Sequence, residues 1–258
     1  MSRTPALETV VLSTSGATAT LSLNRPDKLN PLSPMTLQEI TIACEWLDNN
    51  DDVKVVIVNG VGRSFCAGAD LTAFRQGGMA RREAADWGRK MAGALEGMRP
   101  IAVASIHGWC IGGGLVLAAA CDLRVASENA RFSIPEVDLG IGLAWGGIPR
   151  LIREIGPAMT KELVLTCREF SPQEAKAVGF LNRVVPEIAL EEETEQLAST
   201  IAKKAGFPIT ATKRNVNAIT SQVFGTDHAW SDADIVLTAL ADPECQAARD
   251  RYLTERRK

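Results

Sequence analysis

Three consecutive glycines separate an apolar strand-like segment from an apolar helix-like segment. Residues 101–122 have the sequence IAVASIHGWCIGGGLVLAAACD, with the triplet at positions 112–114. Because glycine has no Cβ, a ligand can approach the backbone closely there. The first N–H groups of a helix that begins at the triplet lack intrahelical acceptors and lie at its positive end. The stretch therefore predicts either a site for an anion or a carbonyl oxygen, or a tight packing corner.

The length and charge of the chain narrow its possible partners. A chain of 258 residues can form one large domain, or a domain with an appendage. Its net charge of −3 shows no basic bias, which argues against nucleic acid or an anionic membrane as a partner. No segment reaches the ~20 apolar residues of a membrane span, and the amino terminus lacks an apolar signal core. We therefore expect a soluble, cytoplasmic protein.

Cysteine and histidine are placed in ways that argue against a metal site. The six cysteines form no C-x-x-C pair, and several lie in apolar segments where a free thiol packs as a small hydrophobe. Only two histidines occur, His107 and His228. We expect reduced thiols, no bound metal, no histidine-based triad, and a structural role for His107 at the end of a strand.

Local patterns predict an α/β protein built in layers. Two strand-like segments, 10–13 and 17–23, flank a Ser-Gly turn and predict a hairpin. Ser33 before Pro34 predicts a helix start, and the sequence SPQE at 171–174 predicts a capping box. Because hairpin-like pairs recur, we expect mixed layers rather than an all-parallel doubly wound sheet. From about residue 190 onward the pattern predicts helices only.

A second glycine-rich loop occupies residues 140–147, with the sequence GIGLAWGG. Its third glycine falls one position late for the G-x-G-x-x-G dinucleotide motif, and neither glycine cluster carries G-K-[ST]. The sequence therefore does not indicate a dinucleotide site or a phosphate-binding P-loop. Residues 72–80, which include two adjacent glycines, are the best candidate for a mobile lid over a pocket.

Several short motifs follow one another along nearly the whole chain. They are LNRP at 23–26, FCAGADL at 65–71, HG at 107–108 with GGG at 112–114, CD at 121–122, and PEV at 135–137 with LG at 139–140. Their order and spacing resemble the crotonase family, the enoyl-CoA hydratases and isomerases. The resemblance implies a spiral core of repeated ββα turns that carries the acyl-CoA site, over residues 1–190. It also implies a helical C-terminal region, 191–258, that builds a homotrimer or a dimer of trimers.

The same resemblance implies how an acyl-CoA thioester would be held. The two backbone N–H groups of the family's oxyanion hole correspond to Ala69 and Gly113. Family members hold the coenzyme A moiety mainly through backbone groups, which correspond here to Asp27, Lys28, Leu29 and Ala67. Lys28 could also pair with a phosphate, or be an ordinary solvated loop lysine. No cofactor is implied beyond the coenzyme A that the substrate carries.

An enolate formed in such a hole requires a base. Histidines are few and badly placed, so a carboxylate is the natural choice. In the family this carboxylate directly follows the proline of the P-E motif, which is Glu136 here. Apolar neighbours, Phe132, Ile134 and Val137, predict an apolar wall that would raise its pKa. Without the motif, Glu136 would be taken for a surface residue.

One departure from the family pattern bears on the reaction. Hydratases of the family carry a second glutamate two residues past the glycine triplet, where this chain has Val116. We therefore rank double-bond isomerisation of an enoyl-CoA above hydration. The alternatives are a 2-enoyl-CoA hydratase, a lyase, that uses Glu136 alone on aryl-enoyl or similar thioesters, and a catalytically weak acyl-CoA binding protein. The aspartate of dienoyl isomerases would fall at Ala144, which disfavours that variant.

Three further residues near the motifs remain open to interpretation. Trp109 and Trp145 neighbour the two glycine loops, so each could line an acyl pocket or pack in the core. Asp138 would lie on the face opposite Glu136 if the segment were extended, and we expect it to be structural.

Overall fold

The computed structural model describes residues 4–72 and 82–255. The predicted lid segment, residues 72–80, lies outside these ranges except for Thr72. Eight strands occur in the part of the chain that is described: β1 (Val10–Ser15), β2 (Thr18–Leu23), β3 (Val55–Gly60), β4 (Ile101–Ile106), β5 (Trp109–Ile111), β6 (Leu123–Ser127), β7 (Arg131–Ser133) and β8 (Arg183–Val185).

The strands form two sheets. The larger has the order β1-β2-β3-β4-β6-β8, and the smaller consists of β5 and β7. Among the eight described strands, β1 and β2 pair antiparallel and the other paired strands are parallel. The predicted hairpin is confirmed, since Ser15 pairs with Thr18 across a turn in which Gly16 has a φ of 57°.

The expectation that hairpin pairs recur along the chain is wrong. After β4 the chain turns at Gly108, where φ is 55° and a Cβ would overlap the Arg63 carbonyl oxygen. This turn directs β5 into the small sheet, parallel to β7, instead of back along β4. His107 supports the turn, because its Nε2 lies 2.8 Å from the Gly62 carbonyl oxygen. From β4 to β8, successive strands thus alternate between the two sheets.

Nine α-helices lie within the described ranges: α1 (Pro34–Asp48), α2 (Arg82–Gly97), α3 (Gly113–Ala119), α4 (Gly147–Thr166), α5 (Pro172–Ala177), α6 (Leu190–Ala202), α7 (Gly206–Phe224), α8 (Asp232–Ala241) and α9 (Pro243–Glu255). The predicted N-caps are confirmed: Ser33 Oγ accepts the Thr36 N–H at 3.2 Å, and Ser171 Oγ accepts the Glu174 N–H at 3.1 Å. The capping box predicted at residues 171–174 is only half formed, because the Glu174 carboxylate pairs with Arg168.

Strands β3 and β4 are covered on both faces, as is usual for parallel strands. One face packs on the main core, and the other contributes Val55 and Val103 to a second cluster beneath α6. Helix α6 is therefore part of the sheet core, although elements after residue 190 are helical as predicted in the described part. The boundary between residues 190 and 191 stays a prediction.

Helix α7 is attached to the core by a buried lysine. Lys213 Nζ donates to Asp122 Oδ2 at 2.8 Å and to the Pro100 carbonyl oxygen at 2.9 Å. Asp122 Oδ2 also accepts the Ala102 N–H at 2.7 Å. Burial raises the pKa of Asp122, and the lysine opposes this effect.

The helices described within residues 4–72 and 82–255 include none with the length and apolar character of a membrane span.

Candidate active site

The three residues expected to perform the chemistry lie around one small cavity. Ala69, Gly113 and Glu136 contact a space of about 30 Å³, which is about the volume of one water molecule. The remaining wall residues are mostly apolar: Val116, Ile141, Gly142, Leu143, Ala144, Trp145 and Val236. The site thus combines the segment after β3, the start of α3, the segments after β7, and helix α8.

Backbone pairing directs the Ala69 amide away from the neighbouring chain. The Leu32 N–H donates to Gly68 O at 2.8 Å, and the Asp70 N–H donates to Leu32 O at 3.1 Å. Successive peptide groups in extended backbone point in opposite directions. The Ala69 N–H between them therefore faces away from Leu32, and it donates no hydrogen bond to any residue of the described part of the chain. It is available to an acceptor in the cavity.

The Gly113 amide lies at the first residue of α3, which begins within the glycine triplet. Gly112 precedes it with a φ of 50° and a ψ of −114°, and its carbonyl oxygen accepts the Leu115 N–H at 2.8 Å. A helix's first amides have no intrahelical acceptor. Within the described ranges the Gly113 N–H has no hydrogen-bond acceptor either, so the cavity borders two free amides.

Each glycine of the triplet makes room for a different group. A Cβ on Gly112 would overlap Oε1 of Glu136, and a Cβ on Gly113 would overlap the indole of Trp145. A Cβ on Gly114 would lie 2.8 Å from the Cβ of Cys66. The triplet is therefore a packing corner that also borders a cavity, and a site there for an anion or a carbonyl oxygen stays a prediction.

Glu136 is buried, and its Oε2 has no hydrogen-bond partner among the described residues. Desolvation raises the pKa of this carboxyl to about 7. The segment forms a turn after β7, in which the Ile141 N–H donates to Glu136 O at 2.9 Å. Near neutrality such a group can both accept and donate a proton, which is the requirement for general acid–base work.

The expectation that Val137 belongs to the apolar wall is wrong. Its side chain is 38% exposed, because the turn directs it away from Glu136. Asp138 is also exposed and does not line the cavity. The wall comes instead from residues 141–145, which follow the turn, and from Val116 and Val236, which lie distant in sequence.

Val116 lines the same cavity and carries no ionisable group. Among the described lining residues, Glu136 is the one ionisable side chain. In the described part of the chain, the cavity thus has one acid–base group, two backbone amides and otherwise apolar walls.

Trp145 lines the cavity, whereas Trp109 does not. The Arg131 guanidinium instead lies over the Trp109 ring, with its Cζ 5.1 Å from the ring centroid. Trp145 has a φ of 63°, a left-handed conformation that costs a bulky residue on the order of 1 kcal/mol or more. Arg150 holds this backbone by donating to Trp145 O and Gly146 O, both at 3.1 Å. The sequence left pocket lining and core packing open for Trp145, and both apply.

The residues expected to hold coenzyme A also come together. Residues Pro26–Lys28 form a 3-10 turn, and Leu29 O accepts the Ala67 N–H at 2.9 Å. Asp27 and Lys28 are exposed at this edge of the site. A ligand along this loop would therefore reach both the loop and the segment that presents Ala69.

Two interactions that the sequence analysis did not single out hold this loop. The Asn30 amide nitrogen donates to Val61 O at 2.9 Å and to Ser64 O at 2.8 Å. Arg25 Nη1 pairs with Asp70 Oδ2 at 2.9 Å, while Asp70 Oδ1 accepts the Thr72 N–H at 3.1 Å. Asp70 thus caps the N–H group of Thr72. Burial opposes the lowering of its pKa, but the hydrogen bonds from Thr72 and Arg25 outweigh it.

The chain is similar to known proteins along most of its length. The family model described as enoyl-CoA hydratase/isomerase matches residues 13–258. A short-chain-enoyl-CoA hydratase of Clostridium acetobutylicum is 32% identical over 249 residues, with 92% of this chain and 95% of the relative covered. A peroxisomal Delta(3,5)-Delta(2,4)-dienoyl-CoA isomerase of Arabidopsis thaliana is 38% identical over 221 residues, with 80% of each chain covered.

Solved structures show the same fold. The crystal structure of an enoyl-CoA hydratase/isomerase from Xanthobacter autotrophicus Py2 superimposes with a TM-score of 0.87 at 27% identity. The match covers 94% of this chain and 91% of the other.

The raised pKa of Glu136 predicts a pH-dependent stability. Its ordinary value is 4.5 and its folded value about 7, so between these pH values only the folded state holds the proton. The free energy of unfolding therefore decreases as the pH rises through this window. The decrease is at most about 3 kcal/mol, since one pKa unit corresponds to about 1.4 kcal/mol. The Glu136→Gln variant should lack this contribution.

Urea unfolding of both proteins from about pH 5 to about pH 8 measures the difference. We expect the variant to gain stability relative to wild type as the pH rises. Asp138→Asn, an exposed acid in the same turn, is the matched control and should follow wild type. Parallel stability curves for wild type and Glu136→Gln would contradict the assignment.

Proposed function

This chain belongs to the enoyl-CoA hydratase/isomerase family, and we propose that it isomerises a 3-enoyl-CoA thioester to the conjugated 2-enoyl-CoA. The predicted crotonase family and fold class are confirmed by the family match over residues 13–258 and by the superposition on a family structure. The chain is therefore an acyl-CoA enzyme of this family. One observation supports isomerisation above all: among the described residues, one carboxylate and two amides without acceptors border the same apolar cavity.

The two amides are suited to stabilise the charge that develops in the reaction. A thioester carbonyl oxygen placed between the N–H groups of Ala69 and Gly113 would accept a hydrogen bond from each. These bonds strengthen when the carbonyl becomes an enolate oxygen, so they favour the transition state over the substrate. Removing one such donor typically costs about 10²–10³ in rate. Both donors belong to the backbone, so they need little reorganisation during the reaction.

Glu136 is suited to carry the proton. As carboxylate it would take the proton from C2, and the electron pair left behind would delocalise into the carbonyl held by the amides. As carboxylic acid it would return the proton at C4, so the double bond moves and no atom is gained or lost. A pKa of about 7 makes both forms accessible near neutral pH.

Hydration is the second candidate, because the Clostridium acetobutylicum relative is named a short-chain-enoyl-CoA hydratase. Addition of water by two carboxylates would need an acid at position 116, where Val116 offers none. A hydratase built on this site would have to activate water with Glu136 alone.

We propose that the coenzyme A moiety lies along Asp27, Lys28, Leu29 and Ala67, and that no further cofactor takes part.

Neutralising the acid should abolish turnover. We expect Glu136→Gln to reduce kcat by about 10²–10⁴, the usual contribution of a general acid–base group, while acyl-CoA binding persists. The assay offers 3-enoyl-, 2-enoyl- and aryl-enoyl-CoA thioesters to the wild type and the variant, with Asp138→Asn as the control that should stay active.

Other results would overturn the proposal. Hydration of a 2-enoyl or aryl-enoyl thioester without isomerisation would favour the hydratase. Binding of acyl-CoA without turnover of any thioester would favour a binding protein. Unimpaired turnover by Glu136→Gln would remove the acid–base role altogether.

Supplying the missing carboxylate should add a second activity. We expect Val116→Glu to hydrate 2-enoyl-CoA at a rate that wild type does not reach, because two acids could then bind and deprotonate water. Val116→Gln is the matched control, since it has a similar size and polarity but no acid. Hydration by neither variant, with both folded and still binding acyl-CoA, would mean that Val116 does not determine the reaction.

We also propose that the chain assembles as a homotrimer or a dimer of trimers through α7. Val216, Ile219 and Val223 of this helix are 53%, 67% and 70% exposed and follow a helical spacing. They continue from a groove of about 550 Å³ in which Val216 meets Ile201 and Ile209. Exposed apolar patches of this kind mark protein–protein contacts.

Light scattering coupled to gel filtration tests the assembly. We expect a trimeric or hexameric mass for wild type and a lower mass for Ile219→Lys combined with Val223→Lys. Ile188→Lys is the control, since Ile188 is 97% exposed and lies outside α7. A monomeric wild type would overturn the proposal, and a double variant of unchanged mass would exclude α7 as the contact.

A further inference from the structure

The indole of Trp145 is seated between two glycines. A Cβ on Gly88 of α2 would overlap the ring atoms Cγ, Cδ2 and Cε2, and a Cβ on Gly113 would overlap Cζ3 and lie 3.0 Å from Cη2. No other residue type at either position leaves the ring where it is. The largest side chain of the cavity wall is thus held against the glycine that presents a free amide.

The backbone of Trp145 is fixed as firmly as its ring. The Gly146 N–H donates to Asp232 Oδ2 at 2.7 Å, which ties the turn to the start of α8. The buried Arg150 guanidinium holds Trp145 O and pairs with Glu96 Oε2 at 2.6 Å. Helix α2 therefore supplies both the seat for the ring, at Gly88, and the carboxylate that holds Arg150.

The cavity between this ring and Glu136 has about the volume of one water molecule. Val116, Leu143 and Val236 form other parts of the wall, and all are smaller than an indole. An acyl chain that extends past the reacting carbons toward this wall meets the tryptophan, whose backbone and ring are both held. We propose that Trp145 limits acyl length, and that the substrate is a short acyl-CoA. This inference rests on the proposed function of the site.

Saturated acyl-CoA thioesters test the limit without requiring turnover. Calorimetric titration with butyryl-, hexanoyl- and octanoyl-CoA gives the affinity as a function of chain length. Burying each methylene normally strengthens binding by about fourfold. We expect wild type to show no such gain beyond butyryl-CoA. In Trp145→Ala the space of the indole becomes available, so octanoyl-CoA should bind at least about tenfold tighter than butyryl-CoA.

A second pair of variants keeps the tryptophan and alters glycines of α2, one of which contacts its ring. Gly88→Ala would push the ring out of place, and alanine is the better helix former at this position. Gly93→Ala is the matched control in the same helix, since a Cβ there meets nothing within 4 Å. We expect Gly88→Ala to change the affinity ratio of octanoyl- to butyryl-CoA by threefold or more, about half the free-energy effect of a tenfold change. Gly93→Ala should leave the ratio unchanged.

The outcomes separate this inference from the proposed function. If wild type already gains affinity with each methylene, or if the ratio stays unchanged in Gly88→Ala and in folded Trp145→Ala, Trp145 does not limit acyl length. If the length limit holds and no thioester is turned over, the inference stands and the isomerase proposal fails. Should Trp145→Ala not fold, the Gly88→Ala and Gly93→Ala pair decides. Failure of wild type to bind any acyl-CoA overturns both.

Discussion

The active site depends on the burial of one carboxylate. Glu136 is enclosed by apolar walls with an oxygen that has no partner in the described structure, and this desolvation brings its pKa to about 7. Burying an unsatisfied acid disfavours folding. The parallel strands and helices of the core supply the stability that permits this burial. The result is a carboxylate that can change its protonation near neutral pH.

The glycine triplet connects that carboxylate to the rest of the molecule. Gly112 admits Glu136, Gly113 admits Trp145, and Gly114 admits Cys66, so three successive residues contact three different segments. Replacing any of them would move a neighbour that lies distant in the sequence. The same close contacts place the Gly113 amide at the cavity. The close contacts and the position of the Gly113 amide therefore both follow from the absence of side chains at these three residues.

The pairing of two loops places the second amide, that of Ala69, at the cavity. Arg25 and Asn30 fasten the loop that leaves β2 to the segment that holds Ala69, through Asp70 and the carbonyl groups of Val61 and Ser64. The ladder between Leu32 and its neighbours then directs the Ala69 N–H into the cavity. Coenzyme A bound along this loop would contact the same framework that presents the amide, which links substrate binding to the position of the donor.

The sequence by itself determined the features that depend on neighbours along the chain. The hairpin at Gly16, the caps at Ser33 and Ser171, and the helix after the triplet follow from local chemistry. The motifs, through their resemblance to a family, indicated Ala69, Gly113 and Glu136. Tertiary structure alone decided that β5 pairs with β7, that Val137 faces outward, and that Trp145, Gly88 and Val236 surround the site. These are contacts between segments far apart in sequence, and a linear pattern carries no record of which side chains meet across them.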